Sequence, residues 1–192
     1  MKNKHLSTLE YPKILHALAT HTSFSAGEEK ALALEPTSDP AEIQHRLDTT
    51  SEARSLLEDR PGTSIGGAHD VRSLAAAAER GVVLPPTDLL DVRDTLAAGR
   101  TLHRTLTRLE SLFPHLARTA SRIRPCQDII DDISRCIDER GAVRDDASPN
   151  LARIRREVDI AHARIQEKLQ NIISSQRSAP YLQEPIITRR EG

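Results

Sequence analysis

Between Pro149 and Gln176, seven apolar residues recur every three or four positions: Leu151, Ile154, Val158, Ala161, Ile165, Leu169 and Ile172. At about 100° per residue they fall into one stripe, with Arg153, Arg156, Arg164 and Glu167 on the opposite face. A strand would scatter these residues over both of its faces, so the segment reads as an amphipathic α-helix. Ser148 stands where an N-cap belongs, and Pro149 fits the first helical position, where its missing N–H leaves nothing unpaired. At 1.5 Å per residue such a helix is on the order of 40 Å long, more than a compact bundle of this size requires. Part of it is expected to project like a lever, offering a coiled-coil-like seam to one partner and charge to water.

Helix signals also run through the rest of the 192 residues. Aromatic residues make up only 2% of the chain and Trp is absent, so a core must come from the Leu, Ile, Val and Ala that helical bundles favour. Thr8 is placed to cap a first helix reaching about His21, with Leu9, Ile14, Leu15 and Leu18 on one face. Ser25 and Glu28 have the capping-box spacing for a helix to Leu34, and Pro36 stops it. Asp39, Pro40 and Glu42 open another that runs to Asp59, after which the Gly- and Pro-rich stretch from Arg60 to His69 is a connection. A short helix is expected from Asp70 to Arg80, closed by Gly81. Thr87 then caps a long one from Asp88 to about Ser111, and two shorter ones follow near Phe113–Ile123 and Pro125–Asp138. Gly141, the extended "AVRD" and the turn residues Asp145 and Asp146 lead into Ser148. No period of 20 to 50 residues repeats, which argues against a solenoid. The expected fold is all-α: an irregular helical bundle over residues 1–138, a turn or extended connector over 139–148, and the lever helix over 149–177.

Charge narrows the functional classes. Charged residues make up 29% of the chain, but the formal net charge is only -1, so no whole-chain field draws it to DNA, RNA or membrane. Attraction has to be local. Arg93, Arg100, Arg104 and Arg108 lie within about 80° of one another on the long helix. From Arg100 to Arg124 the arginines at 100, 104, 108, 118, 122 and 124 face the single glutamate Glu110. With so few aromatic residues to stack bases, this stripe suits phosphate contacts and not base reading.

No site of chemistry is visible in these residues. The phosphate-loop pattern G-x-x-x-x-G-K-[ST] does not occur, and "GTSIGG" from Gly62 to Gly67 lacks the lysine such a loop needs. The eight histidines form no H-E-x-x-H motif and are joined by no Cys-x-x-Cys pair, so neither a metal nor a bound cofactor is expected. Asp128, Asp131 and Asp132 read as a solvated acidic face, because adjacent helical residues diverge by about 100°. Cys126 and Cys136, ten residues apart on helical sequence, are roughly 15 Å apart, too far for a disulfide, and read as buried thiols. No apolar run approaches the roughly 18 to 20 residues of a spanning helix, and the opening "MKNKHLSTLEYPK" lacks the apolar core of a secretory signal, so a cytoplasmic location is expected.

"GAVRDDASPNLARIRRE", followed by "YLQEPIITRREG", resembles the N-terminal part of the second type of bacterial MutS homologue. Members of that family carry G-x-[IV]-x-D-x-A-S-x-x-L-x-x-I-R-R and then L-Q-E-x-[IV]-[IV]-T-x-R-x-G. "TLEYPKILHALATHT" and "IGGAHDVRSLAAAAERGVVLPPTDLLDVRDTL" extend the resemblance over almost the whole chain. It implies a helical core feeding the first lever helix, with a short β segment over 178–192 that opens the strand leading into the clamp. The chain is then expected to be a non-catalytic fragment. The returning lever, the P-loop ATPase with its ATP and Mg, and the Smr nuclease domain would lie beyond Gly192. The resemblance further implies a homodimer that clamps branched or mismatched DNA and suppresses recombination, with some members acting on collided ribosomes. This segment's part would be to couple the ATPase to the clamp, and as a fragment it would self-associate through the lever helix. The alternative is a free-standing helical adaptor that binds a partner helix through its seam.

Overall fold

In the computed structural model, which describes residues 3–175 and Ile187, every regular element is helical. In chain order these are α1 (Asn3–Thr8), α2 (Tyr11–Ala19), α3 (Ser25–Leu32), α4 (Pro40–Asp59), α5 (Arg72–Glu79), α6 (Pro86–Thr107), α7 (Pro114–Ala120), α8 (Gln127–Cys136), a 3-10 turn (Asp145–Ala147) and α9 (Pro149–Ser174). Proline sits at the first or second position of α2, α4, α6, α7 and α9, where a fixed φ helps and no N–H is missed. Two of the expected caps form. Asp39 accepts the N–H of Ala41 at 3.0 Å, and Ser148 accepts that of Leu151 at 3.1 Å.

The other three caps differ from expectation, each for an identifiable reason. Thr8 ends α1 instead of starting a helix. Pro12 has no N–H to return to the Thr8 carbonyl, so the chain turns through a left-handed Glu10 (φ 53°) before α2. Ser25 is the first helical residue of α3 and not its cap, because its hydroxyl donates to Asp70 at 2.6 Å, a partner 45 residues away. Thr87 lies inside α6, since Pro86 fixes φ and pushes Pro85 into an extended cap conformation (ψ 152°). Several helices also stop short of the expected bounds, α3 at Leu32, α7 at Ala120 and α8 at Cys136 among them. α6 ends at Thr107 and not Ser111, because Pro114 requires an extended Phe113 and the chain closes through turns first. α9 ends at Ser174, where the hydroxyl bonds back to the Gln170 carbonyl and Ser175 turns extended. The β segment expected over 178–192 lies outside the described residues, Ile187 apart.

The chain divides into two compact units, Met1–Ala142 and Val143–Gly192. In the first, Leu56 of α4, Leu106 of α6 and Ala120 of α7 meet Phe113 in a core flanked by Leu102, Leu109 and Leu116. Polar bonds pin α7 at both ends. The N–H groups of His115 and Leu116 donate to the two oxygens of Glu52 at 3.2 and 3.0 Å, and the Nδ1–H of His103 donates to the Ala120 carbonyl at 2.9 Å. Both ends of a helix carry unsatisfied backbone groups, so these two residues do for α7 what local caps do elsewhere.

Ile130, Ile133 and Ile137 bury the inner face of α8. Cys126 caps this helix in a left-handed conformation (φ 41°), and it and Cys136 are free and only half-buried, which corrects the expectation of buried thiols. Arg72 joins α3 to α5 by donating to both oxygens of Glu29 at 2.7 and 2.8 Å while also holding Asp70. At the end of the unit, Asp138 accepts the N–H groups of Arg140 and Ala142, both at 2.9 Å, around a left-handed Gly141 (φ 79°), where a side chain would be strained.

The second unit is α9 and its lead-in. Arg155 reaches back to the Val143 carbonyl at 3.0 Å and to the Asp145 carboxylate, so the 3-10 turn is strapped to the first turns of the helix. Of the 26 residues of α9, none is buried.

Candidate nucleic-acid interface and apolar seam

All four arginines of the expected basic stripe sit on α6 or at its end, yet their surroundings differ. Arg93 is nearly enclosed, its side chain 12% exposed. Its guanidinium grips Glu139 in a two-pronged bond at 2.9 and 3.1 Å, and its Nε donates to Asp94 at 2.8 Å. Glu139 first and Asp94 second hold the Arg93 pKa above the ordinary arginine value, so this cation is committed to joining α6 to the end of the unit. Arg100 is half-buried and donates to the side-chain oxygen of Gln127 at the start of α8.

Arg104 and Arg108 are exposed, and neither forms an ion pair among the described residues. They lie in the last turn and at the C-cap of α6, where a cation also favours the negative end of the helix. Arg118, Arg122 and Arg124 are exposed as well. The open part of the stripe is therefore its C-terminal half. Sequence reasoning missed the Glu139 clamp, which joins residues 46 apart. The one local hint was that acidic Asp91 and Asp94 flank Arg93.

The α9 seam is open to solvent along its length. Ile154, Val158, Ile165, Leu169 and Ile172 are all exposed, and Leu151 at the capped end is half-buried. The helix holds itself together by local means: the Ser148 cap, the Arg155 strap and the Arg153–Glu157 pair at 2.6 Å. The pair is itself exposed, and pairs of that kind contribute roughly 0.3–0.5 kcal/mol.

Among the described residues, no three His, Cys, Asp or Glu side chains gather as a metal site, and no helix is long and apolar enough to cross a membrane. The acidic residues of α8 are used along the helix: Asp131 accepts from Gln127 at 2.6 Å and Asp132 pairs with Arg135 at 3.1 Å. The glycine-rich loop over 62–67 turns through a left-handed Gly67 (φ 81°) and leads to His69, whose N–H donates to the Thr95 hydroxyl at 2.8 Å.

No protein-family model matches the chain. It is 44% identical to the protein named Endonuclease MutS2 of Symbiobacterium thermophilum and 40% identical to that of Pelotomaculum thermopropionicum, covering 100% of this chain and 24% of each relative. A protein of the same name from a Geobacillus species is 37% identical over 99% of this chain and 25% of its own length. By name these relatives are endonucleases of the MutS type. The chain belongs to the Endonuclease MutS2 family, and it spans about a quarter of the length of the curated relatives it matches.

Proposed function

We propose that this chain is the non-catalytic core and lever of a MutS-type protein that acts on DNA, coupling an ATPase elsewhere in the polypeptide to a clamp. The observation that carries this reading is α9: 26 residues, firmly capped, with a continuous apolar seam and no buried residue. A helix built in that way is suited to transmit movement while its seam rests on a partner. In this reading residues 1–138 form the core that fixes the pivot, 139–148 the connector, 149–177 the lever and 178–192 the entry to the clamp. ATP, Mg and strand cutting belong to the part of the family's length that this chain does not span. The whole protein works in the cytoplasm as a homodimer on branched or mismatched DNA, where it suppresses recombination, or on collided ribosomes. The exposed Arg104 and Arg108 give the core a weak, salt-sensitive hold on phosphates, with Arg100 and Arg93 behind them bracing the helix.

The test is made in a full-length protein that contains this segment, by measuring ATP hydrolysis with and without branched DNA. Ile165→Glu with Leu169→Glu should leave basal hydrolysis intact and abolish its response to DNA. A variant that responds like the wild type would overturn the coupling role. The adaptor alternative would gain if the same protein neither bound nor hydrolysed ATP.

A further inference from the structure

The turn that ends the first unit is docked on the start of α6 by two contacts of different kinds. Gly141, left-handed at φ 79°, lies so close to Thr87 that a Cβ there would meet the Thr87 methyl at 3.3 Å and the Leu90 side chain at 4.0 Å. Glu139 takes both prongs of the Arg93 guanidinium at 2.9 and 3.1 Å. Thr87, Leu90 and Arg93 follow one another every three residues and span about 120° of one side of α6. Just before the turn, Ile137 roots the chain in the core at 5% exposure.

The turn does not need Arg93 for its own shape. Asp138 accepts the N–H groups of Arg140 and Ala142 on its side chain, its own N–H donates to the Ala142 carbonyl at 2.9 Å, and its carbonyl accepts the Gly141 N–H at 3.0 Å. What the ion pair adds is attachment. The Nε of Arg93 is held at 2.8 Å by Asp94 of the same helix, which aims the fork of the guanidinium at Glu139. Two parallel bonds from a planar group resist twisting as well as pulling, where one bond would swivel. The residue after Ala142 opens the second unit, so in chain order a pull on the connector meets this turn before any other part of the core. Through Arg93 it then reaches α6, the helix that buries Leu106 and packs against both α7 and α8.

We infer that Arg93 and Glu139 are positioning residues for coupling: together they pass movement of the connector into α6, with Asp94 aiming the guanidinium and Gly141 admitting the close contact at Thr87. This rests on the coupling role proposed above and names the route by which movement enters the core.

The experiment has two arms. In the 192-residue chain, Glu139→Ala should speed hydrogen exchange of the Arg140, Gly141 and Ala142 amides severalfold, while amides of α6 around Leu106 keep the wild-type rate. Unchanged exchange in the turn would show that Arg93 does not hold it and would overturn the inference. In a full-length protein containing this segment, Glu139→Ala should keep basal ATP hydrolysis and lose most of its response to branched DNA. Glu139→Gln, which gives Arg93 back an acceptor, should recover part of that response. A wild-type response in Glu139→Ala, where Ile165→Glu with Leu169→Glu has lost it, would overturn this inference and leave the coupling role standing. Basal hydrolysis that falls in step with the response would reveal damage to the fold and would also overturn it. A wild type whose hydrolysis ignores DNA would overturn the coupling role and this inference with it.

Discussion

α6 and α9 are close in length, 22 and 26 residues, and both start at a proline. Their surroundings could hardly differ more. α6 buries Leu106, packs Leu102 against α7, and holds the end of its unit through Arg93 and Glu139. Its Gly99 admits Ile123 so closely that a Cβ there would touch it at 3.4 Å. α9 buries nothing. Apolar periodicity specifies that a helix has a face to cover, and says nothing of what covers it. For α6 the cover is the chain that returns as α7 and α8 within the next 30 or so residues. For α9 the unit that contains it supplies no second helix among the described residues. Most of a helix's stability in a protein comes from packing its amphipathic face, so α9 gains from a partner what α6 already has.

The largest way to sharpen that contrast is to empty the core beneath α6. Phe113→Ala removes a ring only 6% exposed and should destabilise the first unit by about 3–5 kcal/mol in urea unfolding. Ile165→Glu with Leu169→Glu should leave the same midpoint unmoved, and a comparable loss from the seam variant would erase the distinction between the two helices. Next in size, Glu52→Ala takes away the acceptor for two backbone N–H groups of α7 and should cost about 1–2 kcal/mol. Ser148→Ala should cost about 1 kcal/mol, read as lost helicity confined to α9.

The smallest expected effect is a pH dependence within the first unit. Hydrogen bonds from Arg72 first, and from Ser25, hold the Asp70 carboxyl well below the usual carboxylate range, and Arg72 lowers Glu29 in the same sense. A lowered folded-state pKa means the stabilisation is complete above the ordinary Asp and Glu values and is lost as pH falls through the folded ones. Because the cluster is solvent-exposed, the effect is modest and weakens with salt. Wild type should lose more of its urea midpoint than Arg72→Met between pH 5 and pH 2, with the shape of overlapping Asp70 and Glu29 titrations. Equal losses would show that Arg72 does not set this dependence.

Much of this was legible in the sequence where the cause is local. Asp39 with Pro40, and Ser148 with Pro149, place a cap and a preset φ side by side, and both helices start there. The α9 seam was legible for the same reason, since periodicity needs no distant partner. What escaped depends on residues far along the chain. Ser25 had the spacing of a cap but bonds Asp70, and Arg93 shares a helix face with Arg104 yet is enclosed by Glu139. On a helical wheel those two arginines are alike. Only the fold separates the one that braces it from the one that faces water.

What α9 gains from a partner, against the self-sufficiency of the core around α6, is most directly tested by hydrogen exchange of the 192-residue chain over a wide range of concentration. Backbone amides of α9 from Ile154 to Ile172 should exchange rapidly in dilute protein and become protected as concentration rises, while those of α6 around Leu106 stay protected throughout. Protection of α9 that is already complete at the lowest concentration and does not change would contradict the account.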